Sequence, residues 1–168
     1  FKNIKSLSFK EGASTISQQL IKNTHLTNEK TLKRKLIEIK LAKQLERHYS
    51  KDQILEMYLN TIHLSRSNYG VQAASNYYFG KDVSELTLVE CAALAAIPKS
   101  PTKYDPVKNP ENNKDRRVLV LDKMAELEYI SEEEAEIAKK TELVINQAVF
   151  NETVVSSNSY FKDALIEQ

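Results

Sequence analysis

Four Ser/Thr-x-x-Glu/Gln boxes punctuate the chain: Thr15 with Gln18, Ser50 with Gln53, Thr87 with Glu90, and Ser131 with Glu134. In such a box two side chains exchange hydrogen bonds with backbone N–H groups that the first helical turn leaves unpaired. Each box precedes an apolar run with helical spacing, so four helix starts are legible from local sequence alone. Asn109-Pro110 marks a fifth, with Pro at the first helical position, where its missing N–H costs nothing. The pattern predicts a sixth helix over roughly 29–48, and a seventh from about Gly70 to Phe79 that Gly80 ends. The 168 residues include only 3 Gly and 4 Pro, about a third of the usual share. That is too few turn formers for a sandwich or barrel, and the expectation is a mainly α bundle of short helices. Residues 141–155 are β-branched and extended in character, SSNS at 156–159 reads as a linker, and no internal repeat is present.

Charge is unevenly placed. Residues 1–60 carry 12 Lys/Arg against 6 Asp/Glu, and residues 61–168 carry 12 against 17, for a net +1. A basic first third suits an anionic partner held on one side, and equally a solvated surface of chance asymmetry. The single cysteine, Cys91, excludes an intrachain disulfide, and its apolar setting (LVECAALAA) predicts a small buried thiol. No stretch approaches the ~20 apolar residues of a membrane span, and no signal-peptide pattern is present. The chain opens at Phe1 without an initiator methionine, which reads as processing or as a piece of a longer polypeptide. His25, His48 and His63 lack metal-ligand spacing, and no phosphate loop, dinucleotide fingerprint or GxSxG elbow occurs.

Two stretches carry chemistry. In helix 29–48, steps of 100° put Leu32, Leu36 and Ile39 on one side and Ile37, Leu41 and Leu45 on the other. Two apolar faces predict a central helix packed from both directions. Glu38 projects from this surface with Arg34 one turn back. It is either half of an intrahelical Arg34–Glu38 pair or an acid at the wall of a cleft. The segment EGASTISQQLIKN (11–23) opens a helix with Ser14 and Thr15 and continues with Gln18, Gln19, Lys22 and Asn23. Hydroxyls and free N–H groups at a helix start suit an anion such as phosphate, and also suit a plain cap followed by a solvated face.

In order along the chain, EGASTISQQLIKN, KRKLIEIKLAKQLERHYSKDQILEMYLN and YGVQAASNYYFGK resemble three successive motifs of the peptidoglycan glycosyltransferases. These are the lysozyme-like polymerase domains of class A penicillin-binding proteins and their monofunctional relatives. The family forms are GGSTITQQ-x-x-KN, RK-x-x-E-x-x-x-A-x-x-LE with SK-x-x-IL-x-x-YLN, and G-x-x-x-AA-x-x-YFG. The likeness covers about residues 3–140. It implies a lysozyme-like bundle of short helices, N-terminally truncated, that polymerises lipid II into β-1,4-linked glycan with inversion. The implied partners are lipid II, the growing glycan chain on undecaprenyl pyrophosphate, the membrane surface and moenomycin-type inhibitors, with no nucleic acid. A divalent cation, magnesium or manganese, would sit at the pyrophosphate. The implied location is the extracytoplasmic face of the cell membrane.

By the same resemblance, Glu38 is the family's second glutamate, catalytic on the donor pyrophosphate side. Ser14, Thr15, Gln18, Gln19, Lys22 and Asn23 form the substrate-binding wall, and Arg34 and Lys35 match the RK pair. Lys30 stands where the family usually has Arg, and Ala13 replaces a glycine. The family's first motif, E-D-x-x-F-x-x-H-x-G, supplies the proposed base, and no Glu-Asp pair occurs in this chain. The expectation is therefore an internal fragment inactive alone. It would consist of a glycosyltransferase domain over 1–145 and a linker over 146–168 leading towards a transpeptidase domain. Two competing readings are a helical nucleic-acid-binding module, from the basic first third, and a lysozyme-like lytic transglycosylase.

Overall fold

A computed structural model describes residues 14–25, 31–146 and 148–149. Among these the regular structure is helical, and the only pairing outside helices is an isolated antiparallel bridge between His63 and Tyr69. The chain divides into two compact units, one ending at Ile62 and one starting at His63.

The first unit holds α1 (Ile16–His25), α2 (Leu32–His48) and α3 (Lys51–Thr61). Its core is Leu20 and Ile21 of α1, Ala42 of α2, and Ile54 and Tyr58 of α3, closed by Ile62. α1 packs against both other helices, which touch each other little. The central helix of this unit is thus α1, not α2. Only Glu38 and Ala42 of α2 are buried, while Leu32 and Leu36 are 67% and 70% exposed. Of the apolar face formed by Leu32, Leu36 and Ile39, only Ile39 is half-buried, and the two leucines are exposed. Thr31 caps α2 by accepting from Arg34 N at 3.1 Å. Ser50 and Gln53 form the full reciprocal box of α3, at 3.2 and 2.9 Å. Arg47 and His48 in the last turn of α2 suit the negative end of its dipole.

The second unit holds α4 (Val71–Phe79), α5 (Leu88–Ala96), α6 (Pro110–Glu126) and α7 (Glu132–Lys140), with 3-10 turns at Val83–Glu85 and Ile97–Lys99. Ala92, Ala93 and Ala96 are essentially inaccessible, and their small size lets α5 lie close against α6. Val89, Ala92, Leu121 and Ala138 join α5, α6 and α7 in one apolar cluster. Helical period turns Cys91 outward, so the thiol expected to be buried is exposed. The boxes at Thr87/Glu90 and Ser131/Glu134 form as read. Asn109 does not cap α6 with its side chain; that amide donates to Thr102 O at 2.9 Å. Gly80 ends α4 at φ 67°, and a Cβ there would lie 2.9 Å from Asn146 Nδ2. Residues 142–146, expected to be extended, are irregular, with Asn146 N donating to Tyr78 O at 2.8 Å. The 156–159 linker lies outside the described residues.

Ser65, Arg66 and Ser67 all have positive φ (72°, 46° and 63°), a conformation costly for residues with a Cβ. Asp105 holds this turn. Its fully buried carboxylate accepts from Ser65 Oγ at 2.8 Å, Arg66 Nε at 3.0 Å, Val107 N at 2.8 Å and Lys108 N at 2.9 Å. Burial alone would raise the Asp105 carboxyl; the Lys108 N–H, the Ser65 hydroxyl, the Val107 N–H and the Arg66 charge together hold it below the ordinary carboxylate value.

Candidate active site

α1 begins where the chain leaves Ser14 and Thr15. Thr15 Oγ1 accepts from Gln18 N at 3.2 Å, which is half of the expected box. The other half is not made, because Gln18 Oε1 accepts from Lys35 Nζ of α2 at 3.2 Å instead. The same ammonium donates to Ser14 Oγ at 2.9 Å and to the Glu38 carboxylate. An ammonium has three protons, and these three acceptors use all of them. Lys35 therefore reaches across 21 residues of sequence to Ser14 and ties the start of α1 to Glu38.

Glu38 is 2% exposed. A carboxylate that deep is tolerated when paired and hydrogen-bonded, and its ion pair is with Lys35 at i−3. Sequence spacing favoured Arg34 at i−4. α2 turns Lys35 and Glu38 together towards α1, where Lys35 also reaches the Ser14 hydroxyl.

Gln19 is fixed from two sides. Its Nε2 donates to Ser14 O at 3.4 Å, and its Oε1 accepts from the Tyr58 hydroxyl at 3.3 Å. Tyr58 lies on the buried side of α3 beside Ile54, and burial pushes its phenol above the usual value. Tyr58 was absent from the residues assigned by sequence. The available signal was its place four residues after Ile54 on the apolar stripe of α3, since a buried phenol needs a hydrogen-bond partner.

Of the assigned residues, Ser14, Gln18, Lys35 and Glu38 thus form one bonded cluster, with Thr15 capping and Gln19 alongside. Lys22 and Asn23 are exposed on the following turn of α1 and make no hydrogen bond to the cluster. The Arg34 side chain is half-buried, and Lys30 lies outside the described residues. Two grooves open elsewhere in this unit. One of about 470 Å³ runs from Thr15 and Ile16 to Tyr49 and Asp52. One of about 530 Å³ lies between Leu20, Leu45 and Met57. Neither is lined by Glu38 or Lys35, whose cluster is closed by its own bonds. Chemically, the cluster offers a buried carboxylate with its charge balanced. The Gln18 Nε2, free of protein partners among the described residues, and the Lys22 ammonium can serve as donors to an anion.

The transglycosylase family model matches residues 1–125. Penicillin-binding protein 1F of Bacillus subtilis is 50% identical over 143 residues, 85% of this chain and 20% of that protein. Penicillin-binding protein 1A of Aquifex aeolicus is 47% identical over 153 residues, 91% of this chain and 20% of that protein. The crystal structure of penicillin-binding protein 1A from Haemophilus influenzae matches with a TM-score of 0.56 at 31% identity, covering 83% of this chain and 18% of that one. The chain spans about a fifth of the length of these curated relatives. With its Ser-Thr-x-x-Gln-Gln turn bonded to the Arg-Lys-x-x-Glu helix, and with a family match over most of its length, this chain belongs to the transglycosylase family.

Proposed function

We propose that this chain is the donor side of a peptidoglycan glycosyltransferase that polymerises lipid II into β-1,4-linked glycan for the bacterial cell wall. In that reaction the 4-hydroxyl oxygen of one lipid II attacks the anomeric carbon of the growing chain with inversion. The bond to undecaprenyl pyrophosphate breaks, the pyrophosphate takes the electron pair, and a base takes the hydroxyl proton. One observation carries the reading: a fully buried Glu38 is held by Lys35, and Lys35 also binds Ser14 and Gln18. A lone carboxylate would repel a pyrophosphate. Paired with an ammonium, it can sit beside the donor and stabilise positive charge developing at the anomeric carbon. Gln18, Gln19, Lys22 and Asn23 line the donor wall, Arg34 and Lys30 add charge for the leaving group, and moenomycin-type inhibitors compete for the same wall. Lys35, with three acceptors already bound, acts chiefly by holding Glu38 and Gln18 in place.

Among the described residues no group of three His, Cys, Asp or Glu could hold a metal ion. By the family resemblance, a magnesium or manganese ion would be held by the pyrophosphate oxygens of the donor, and no step is drawn through it. The proposed setting is the extracytoplasmic membrane face, where the lipid-linked substrate resides. No helix among the described residues is long and apolar enough to cross a membrane. We further propose that the 168 residues alone do not polymerise glycan, since no Glu-Asp pair is present to supply the base. Loss of a general base costs about 10²–10⁴ in rate.

The test compares the 168-residue chain with a longer parent carrying the upstream motif, each incubated with lipid II and a divalent metal. Polymer is expected from the parent alone, and Glu38→Gln in the parent should lower the rate at least about 100-fold with folding intact. Near-normal synthesis by that variant would reduce Glu38 to a structural ion pair. Polymer from the short chain at the parent's rate would overturn the assignment of the base. The nucleic-acid reading gains nothing from the bonded cluster, where a carboxylate occupies the centre of the basic third.

A further inference from the structure

The two buried carboxylates of the second unit each hold a cation: Asp105 pairs with Arg66 at 3.0 Å and Glu90 with Lys81 at 2.8 Å. The buried cation of α6 has no such partner. Arg117 is 3% exposed, and among the described residues its guanidinium makes no hydrogen bond or ion pair. Its Nε is inaccessible as well as unpartnered, and the terminal nitrogens keep the little exposure that remains. One turn back, the Asn113 amide nitrogen donates to Ala93 O at 3.1 Å and Tyr104 O at 2.8 Å, which leaves the buried Oδ1 without a donor. Arg116, half-buried beside Arg117, also has an inaccessible Nε with no partner. Two guanidinium donors and one acceptor are thus unmatched on neighbouring turns of one helix. No acid stands three or four residues from either arginine; those positions are Asn112, Asn113, Lys114, Leu119, Val120 and Leu121. Burial with no opposing charge pulls Arg117 below the ordinary guanidinium value.

We propose that Arg117, with Arg116 beside it, binds one oxyanion group, a carboxylate or a phosphate, on α6. Arginine is almost never this deeply buried without a partner, and it stays ionised at any pH at which the protein folds. A water can bridge Arg117 Nε to Asn113 Oδ1, but it leaves the charge unbalanced, and only an anion removes that cost. The group is an oxyanion because a planar guanidinium presents paired N–H donors that match two oxygens of one carboxylate or phosphate. It enters at the terminal nitrogens, where Arg117 meets solvent. Asn113 Oδ1 then accepts from a water on the anion or from a protonated phosphate oxygen. The site shares no residue with the Glu38 cluster of the first unit, so it is additional to the pyrophosphate wall and does not depend on the proposed reaction. The oxyanion has two possible sources: a free ion in solution, or a side-chain carboxylate of a longer parent.

The experiment follows the Arg117 Nε–H signal by heteronuclear NMR in the whole 168-residue chain, assigned by its loss in Arg117→Lys. Acetate or phosphate replaces chloride at constant ionic strength. A saturable shift of this signal is expected. Urea unfolding should become less favourable by up to about tenfold per decade of oxyanion, the limit for one bound ion. Arg117→Met should abolish the anion dependence and, in chloride alone, should unfold no more easily than the original chain, since it removes an unbalanced buried charge. Arg117→Lys keeps the charge without the paired donors and should bind more weakly. Lys140→Gln, at an exposed position of the same unit, should keep the full dependence. Where a carboxylate of a longer parent is the source, the signal in that parent stands at the shifted position with no added anion, and Arg117→Met destabilises it. A signal that neither anion moves and that is identical in chain and parent overturns the proposal. So does an Arg117→Met variant that keeps the anion dependence. The titration of the unmodified chain decides the question even where a variant fails to fold. None of these readouts uses lipid II, so their failure and a failure of glycan synthesis in the parent are separate results.

Discussion

Lys35→Met keeps the length and most of the volume of the side chain and deletes only the ammonium. Three hydrogen bonds vanish: to Ser14 Oγ, to Gln18 Oε1 and to Glu38. Ser14 and Gln18 are half-buried and can turn to water, so each loss is worth about 0.5 kcal/mol. Glu38 cannot do so, at 2% exposure. Removing one partner of a buried ion pair costs about 3–5 kcal/mol. The Lys35 side chain is 35% exposed, so water reaches the vacated position and screens the charge, which brings that figure to about 2 kcal/mol. The total expected for the first unit is about 2–3 kcal/mol.

The assay is urea unfolding followed by far-UV circular dichroism, since the chain has no tryptophan. It is combined with hydrogen exchange of the α1 and α2 amides, which isolates the first unit. In a double-mutant cycle with Glu38→Gln, the pair should show a coupling of about 1–2 kcal/mol, because Lys35→Met costs much less once the carboxylate is neutral. Lys35→Arg should fall between, since a planar guanidinium cannot direct three bonds from one atom. In a longer active parent, Lys35→Met should lower kcat/KM by about 100-fold, close to 2.7 kcal/mol of transition-state stabilisation. A stability cost below about 0.5 kcal/mol with no coupling would show that Lys35 and Glu38 behave as a solvated surface pair. The argument that Lys35 holds the acid in place would then be wrong.

Tyr58→Phe should destabilise the first unit by about 1 kcal/mol through the lost bond to Gln19, and should raise KM for lipid II in an active parent more than it lowers kcat; an unchanged KM would remove Tyr58 from the site. Asp105→Asn should cost the second unit about 2–3 kcal/mol in urea unfolding, because the new amide presents donors to the donors of Arg66 and Ser65. Folded Asp105 binds its proton less readily than the unfolded chain does. Its contribution is therefore complete above the ordinary carboxylate value of about 3.9 and declines as pH falls from there through the lower folded value. The variant should show a shallower loss of stability over that acid range, and an equal slope in both proteins would refute this. Gly80→Ala should cost about 1–2 kcal/mol by thermal unfolding, since Ala must take φ 67° and displace the Asn146 amide; a neutral result would mean that α4 ends without the left-handed residue.

Much of the fold was legible because its determinants lie within four residues of one another. A capping box is closed by positions i and i+3, so Ser50, Thr87 and Ser131 announce α3, α5 and α7 before any packing is known. Gly80 ends α4 for a similarly local reason, the ease with which glycine adopts positive φ. The motif residues Ser14, Gln18, Lys35 and Glu38 were also named from sequence, and they meet. What the local pattern could not supply is which partner wins when two compete. Thr15 and Gln18 can complete a box, yet Gln18 turns to Lys35 because α2 brings an ammonium within reach. Arg34 and Lys35 both lie one turn before Glu38, and the position of Ser14 decides for Lys35. Period alone gave α2 two equivalent apolar faces, and packing decided that the side of Glu38 and Ala42 is covered while Leu32, Leu36 and Ile37 are exposed. The buried Asp105 acts on Ser65 and Arg66 from 40 and 39 residues away. Three consecutive left-handed residues in that turn have no local cause, since Ser and Arg do not prefer positive φ. Local hydrogen bonds and periodicity thus wrote the helices and the list of site residues. Only tertiary structure, through competition for a limited number of donors and one buried side per helix, decided how those residues are connected.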